Sequence, residues 1–91
     1  MKIAVPKEIK NHEYRVALTP SGVRELTGRD HQVVVQAGAG EGAGFPDADY
    51  EAAGATLEAN VTTLWRDAEL IIKVKEPQPE EVERLSSGQI L

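Results

Sequence analysis

Residues 69–79 read ELIIKVKEPQP, a stretch that starts as a buried strand and does not end as one. Leu70, Ile71 and Ile72 form an apolar run without polar alternation, the pattern of a strand covered on both faces. Lys73 and Lys75 follow, and Pro77 and Pro79 then stop the strand. The spacing predicts a strand over 69–75. Its lysines share a face, because side chains alternate with period two.

Working outward, Lys2-Ile3-Ala4-Val5 is predicted as a short strand ended by Pro6. A polar connection, KEIKNHEYRVAL, runs from residue 7 to 18. Thr19 then reads as an N-cap with Pro20 at the first helical position, and Leu18 is placed to staple onto Val23. Val23 and Leu26 lie on one face, and Gly28 is a candidate stop. Gln32–Gln36 is a β-branched strand. A glycine-rich loop covers 38–44. Asp47 is expected to cap a short helix that Gly54 ends, with a brief strand at 55–57. Asn60 caps a third helix carrying Val61, Leu64 and Trp65 at i, i+3, i+4. Pro79 opens a fourth, with Glu80 and Glu81 in its first turn and Val82 and Leu85 as its apolar face. Gln89-Ile90-Leu91 reads as one more strand beginning, which suggests a piece of a longer protein. Strands alternating with helices imply parallel pairing through crossovers. The expected fold is therefore α/β: an open, mostly parallel sheet with helices on both faces.

Totals narrow the function. The 91 residues suffice for one small domain, and 41% hydrophobic with 27% charged residues is an ordinary globular composition. A formal charge of −5 argues against nucleic acid as a partner. Cysteine is absent, which removes disulfides and thiol chemistry and fits a cytoplasmic protein. No apolar run approaches the roughly 20 residues that span a bilayer. The opening MKIAVPKEI lacks a signal-peptide apolar region, so no membrane role is expected.

Ligands of open α/β sheets bind outside the carboxyl ends of the strands. Lys75 falls at such an end. One or both lysines either point into that rim to hold an anion or pair with Glu76, Glu80 or Glu81. Arg15, between Tyr14 and the apolar Val16-Ala17-Leu18, is expected to be partly buried. Its partner is either Glu8 or Glu13, or a ligand carboxylate. Together Arg15 and Lys75 form a candidate clamp for a small carboxylate. His12 and His31 have no companions at metal-ligand spacing and read as surface or capping residues. The loop Gly38-Ala39-Gly40-Glu41-Gly42-Ala43 satisfies G-x-G-x-x-A after a strand, with Glu58 about twenty residues on. Phe45-Pro46 separates it from the next helix, however. Glu41, Asp47, Asp49 and Glu51 would also repel a phosphate, so a structural turn is preferred over a dinucleotide site.

Three stretches carry a resemblance: VPKEIKNHEYRVALTPSGVREL (5–26), QAGAGEGAGFPDADYEAAGA (36–55) and AELIIKVKEPQPEE (68–81). They resemble the N-terminal region of alanine dehydrogenases, along essentially the whole chain. The soluble nucleotide-binding part of proton-translocating transhydrogenases is a more distant relative, as are saccharopine dehydrogenases. Transhydrogenases usually lack the second lysine of Lys73-Val74-Lys75-Glu76-Pro77. The resemblance implies that residues 1–91 are the N-terminal part of a flavodoxin-like (Rossmann-like) substrate domain. It implies the reversible conversion of L-alanine, NAD and water to pyruvate, ammonium and NADH. Arg15 and Lys75 would hold the substrate carboxylate and keto group. NAD would bind a domain outside this chain, and the proton-transferring histidine and aspartate would lie beyond Leu91. The intact protein would be a homo-oligomer. Two rival readings are a transhydrogenase nucleotide domain and a non-catalytic module that kept the fold.

Overall fold

A computed structural model describes residues Met1–Leu91. Four strands form one sheet: β1 (Lys2–Val5), β2 (Gln32–Gln36), β3 (Thr56–Glu58) and β4 (Leu70–Ile71). All pairings are parallel, in the order β3-β2-β1-β4. Ile90 adds a parallel bridge to Leu70, so the strand expected at 89–91 does begin beside β4. Of the two common doubly wound orders, this 3-2-1-4 arrangement is the Rossmann one rather than flavodoxin's 2-1-3-4-5.

Helices cover both faces, as the alternation predicts. Val5, Val33 and Val35 pack on one face against Val23 of α1 (Pro20–Thr27) and Tyr50 of α2 (Asp47–Ala52). Ala4, Val34 and Ile71 pack on the other, against Leu64 and Trp65 of α3 (Val61–Asp67). The caps follow the sequence. The Thr19 hydroxyl accepts from the Gly22 amide at 3.2 Å, and Asn60 Oδ1 accepts from the Thr63 amide at 3.1 Å. Leu18 lies against the group that contains Val23, as a staple requires. Its carbonyl accepts the Tyr50 hydroxyl at 2.8 Å, which ties the end of the 7–18 connection to α2.

Three expectations are corrected. Asp47 is not the cap of α2: Pro46 holds that position, and Asp47 Oδ1 accepts the Gly38 amide at 2.9 Å. The fourth strand ends at Ile71, not at residue 75. The Ile72 amide still bonds to Ala4 O at 3.0 Å, but Pro6 offers no N–H to continue the ladder. Beyond that point the amides of Val74 and Lys75 turn to the Glu8 carboxylate, at 3.1 and 3.3 Å. The last helix, α4 (Pro79–Val82), is a single turn, and its buried residue is Glu81 while Val82 is 54% exposed. Leu85 does pack inward, against the α3 side of the sheet.

Candidate functional site

The strand order reverses between β1 and β4, because β1 leads to β2 on one side while β4 lies on the other. That reversal opens a crevice at the carboxyl ends of these two strands, where doubly wound folds bind ligands. Two segments leave the sheet there: the 6–18 connection after β1 and residues 72–78 after β4. Arg15 lies on the first and Lys73 and Lys75 on the second.

Beneath the crevice lies a buried ion group. Lys73 Nζ sits 2.9 Å from Glu8 Oε1 and 3.2 Å from Glu81 Oε2, and the Lys73 side chain is only 3% exposed. Each carboxylate also accepts backbone amides. Glu8 takes those of Val74 and Lys75, and Glu81 Oε1 takes that of Gln78 at 2.9 Å. Two carboxylates against one ammonium leave a formal negative charge, which these amide dipoles offset. The group pins residues 73–78 to the connection after β1, across about 65 positions of sequence.

The two lysines therefore part company. They do not share a face, since the strand geometry behind that expectation ends at Ile71. Lys73 turns inward as a structural cation. Lys75 turns outward with its side chain 38% exposed, and its Nζ reaches to 3.9 Å from Glu13 Oε1. Arg15 meets the same oxygen: Nη2 donates to Glu13 Oε1 at 2.8 Å and Nε to Oε2 at 3.0 Å. The Arg15 amide also donates to Oε2, at 2.9 Å. Arg15 and Lys75 thus converge on one carboxylate. Of the partners weighed for Arg15, it is Glu13 and not Glu8 that forms the pair.

The burial expected of Arg15 is reversed. Its side chain is 67% exposed, whereas Glu13 is only 5% exposed. Val16, Ala17 and Leu18 do head for the core, but the guanidinium stays on the rim and the carboxylate is the covered partner. The guanidinium beside Glu13 is the main cause that pulls its carboxyl down to about 2, with the Lys75 charge a smaller contributor.

A cleft of about 470 Å³ opens over these residues, lined by Lys10, His12, Glu13, Arg15, Gly42 and Lys75 among others. Gly42 lets the wall approach closely: a Cβ there would stand 3.1 Å from the Tyr14 carbonyl, tight enough that the loop would have to give by a few tenths of an ångström. Lys10 pairs with Glu76 at one edge. His12, in a left-handed conformation with φ 62°, stacks edge-on to Tyr14. His31 is remote, with its ring near the chain's amino group.

The glycine loop does not lead into a helix. A 3₁₀ turn (Glu41–Ala43) is followed by Gly44 at φ 89° and then by Phe45-Pro46. The Gly38 amide, which a phosphate would need, is occupied by Asp47. The loop therefore lacks the helix start and the free first amide that a dinucleotide fingerprint uses. No group of three or more acidic or histidine side chains is arranged to hold a metal ion, and no helix is long and apolar enough to cross a membrane.

Glu81 is among the partners weighed for the lysines, and it does pair with Lys73; the partnership with Glu8 is not legible in the sequence. A faint signal for a covered Lys73 lies in the unbroken apolar run before it. Nothing local identifies a carboxylate 65 positions away as its partner.

The chain is similar to known proteins along its whole length. Residues 4–91 match the family model described as alanine dehydrogenase/PNT, N-terminal domain. Over all 91 residues the chain is 80% identical to an alanine dehydrogenase of Halomonas elongata and 55% identical to one of Mycobacterium tuberculosis, spanning 24% of the length of each. A solved L-alanine dehydrogenase superposes with a TM-score of 0.94 at 47% identity, covering 98% of this chain and 24% of that one. A transhydrogenase from Sinorhizobium meliloti superposes at 0.90 with 35% identity, covering 98% of this chain and 25% of that one. The chain belongs to the alanine dehydrogenase/PNT N-terminal domain family.

Proposed function

We propose that this chain supplies the carboxylate-binding half of the substrate site of an NAD-dependent alanine dehydrogenase, which interconverts L-alanine and pyruvate. The observation that carries the reading is the meeting of Arg15 and Lys75 on a single oxygen of Glu13, at the sheet's switch point. Glu13 occupies only the Nε/Nη2 edge of the guanidinium. The Nη1/Nη2 edge is a second fork, and it suits a substrate carboxylate held by two parallel hydrogen bonds. Lys75 is a point charge beside it. It stabilises negative charge that develops on the keto oxygen as ammonia adds to pyruvate, and equally on the carbinolamine in the reverse direction. NAD supplies hydride chemistry when bound. Residues 1–91 offer it no fit, and they serve to bind and orient the organic acid.

The test is Lys75→Ala in the whole protein that carries this chain. Pyruvate turnover is expected to vanish while NADH titration in a calorimeter stays normal. Wild-type turnover would overturn the assignment. The transhydrogenase superposition supports a second reading, a nucleotide-binding part of a proton-translocating transhydrogenase. The same titrations separate the two, because that reading requires NADH to bind and pyruvate to be ignored.

A further inference from the structure

The Glu13 carboxylate is an unusual occupant for a site meant to hold another carboxylate. It is nearly fully covered, and three donors of Arg15 fix it: the backbone amide, Nε and Nη2. Held this way, it stands as a negative charge between two cations. Lys10 is neutralised by Glu76 at the cleft edge. The Glu8–Lys73–Glu81 group behind the cleft turns its oxygens to Lys73 and to backbone amides. Arg15 and Lys75 against Glu13 therefore leave the cleft one positive charge in excess.

We propose that Glu13 is a specificity-determining residue that fixes the charge of the acid this site accepts. With one cation cancelled, a ligand carrying a single carboxylate brings the cleft to neutrality. A second carboxylate on the ligand meets no free cation in the cleft and adds a like charge beside Glu13, which repels it. The rule extends the reading of the site as a carboxylate clamp and rests on it. It selects 2-oxo acids with one carboxylate over those with two.

Oxamate and oxalate make the test, because they share a planar shape and size and differ by one charge. Each is titrated calorimetrically, alongside pyruvate, into the whole protein with NADH present. Wild type is expected to hold oxamate at least about tenfold more tightly than oxalate. Glu13→Gln, which keeps the shape and removes the charge, is expected to shrink that ratio about tenfold, chiefly by improving oxalate. Glu13→Asp is expected to restore the discrimination. A merely structural role for Glu13 would weaken both ligands together and leave the ratio unchanged, which overturns the proposal. Equal or tighter oxalate binding by wild type overturns it too, and decides the matter alone if the variants do not fold. Failure of wild type to bind pyruvate or either probe removes the clamp reading itself. Pyruvate binding without charge discrimination removes only the role of Glu13.

Discussion

Replacing Lys73 by alanine should cost the 91-residue protein about 3–5 kcal/mol, as removal of one partner from a buried ion group does. The magnitude follows from the geometry. The ammonium lies within 3.2 Å of two carboxylates, and all three side chains are at most 3% exposed. At an effective dielectric constant near 20, each contact is worth about 5 kcal/mol of attraction before desolvation is charged against it. Lys73→Ala removes both attractions and leaves Glu8 and Glu81 buried together as like charges. Against a total stability of roughly 5–13 kcal/mol for a chain of this length, the loss is large. Trp65 is the sole tryptophan and is fully buried on the α3 side of the sheet, so its fluorescence reports global unfolding in urea. The urea midpoint should fall by about 2 M.

A companion variant isolates the cause. Glu8→Gln, Lys73→Met and Glu81→Gln combined bury no charge and keep one oxygen acceptor at each former carboxylate, although the second amide that Glu8 accepts loses its own oxygen. It is expected within about 1–2 kcal/mol of wild type, since neutral isosteres of a buried ion group are close to it in stability. Two results would refute the reasoning. A loss below about 1 kcal/mol in Lys73→Ala would mean that the ammonium is solvated. A triple variant as unstable as the single one would mean that side-chain packing, not uncompensated charge, sets the cost.

Two further outcomes are expected. Arg15→Lys should raise the KM for pyruvate with little change in kcat, because it keeps the charge and loses the fork; an unchanged KM would count against carboxylate recognition there. Glu13 should titrate near pH 2 when folded, against 4.5 unfolded, so the unfolded chain takes up the proton first as pH falls. The support it gives the fold is complete above pH 4.5 and is lost as pH drops through about 2, an outcome checked by following the Glu13 carboxyl carbon by NMR; a midpoint at 4 or above would show that the Arg15 pair does not form in solution.

What the sequence discloses is governed by distance along the chain. Thr19, Pro20 and Asn60 act within four residues of themselves, and their caps form as read. The valine triplet at 33–35 needs only burial on both faces, so its strand is legible from composition. The glycine loop was rejected as a phosphate cradle from its neighbours Phe45-Pro46 and its acidic followers. The amide that Asp47 occupies is the structural counterpart of that argument. The departures turn on contacts that the local pattern does not announce, some far along the chain and some two residues away. Period-two alternation carried β4 to residue 75 because nothing near Lys73 announces that Pro6 ends the ladder. Hydropathy gives the fourth helix Val82 and Leu85 as its inner face; Leu85 does pack inward, but Glu81 rather than Val82 is buried, against Lys73. Arg15 was placed half inside by its apolar neighbours, and only the fold shows that Glu13 takes the covered position.

The pair Lys73 and Lys75 shows why the site needs this departure from regular structure. Had the strand run on to residue 75, both ammonium groups would project to the same side, and the ladder would fix Lys75 against β1. Instead a side chain takes over the duty of a strand. The Glu8 carboxylate accepts the amides of residues 74 and 75, as a neighbouring backbone would, and it also binds Lys73 Nζ. Where Pro6 ends the ladder, one carboxylate thus takes over the freed amides, sequesters the first lysine and fixes the backbone from which the second reaches the cleft. It does so from the connection that also carries Glu13 and Arg15, so the backbones of the two halves of the proposed clamp are set relative to each other by a short buried link. A cation positioned this way needs little reorganisation when an anion arrives, which is the condition for electrostatic stabilisation at a reacting oxygen.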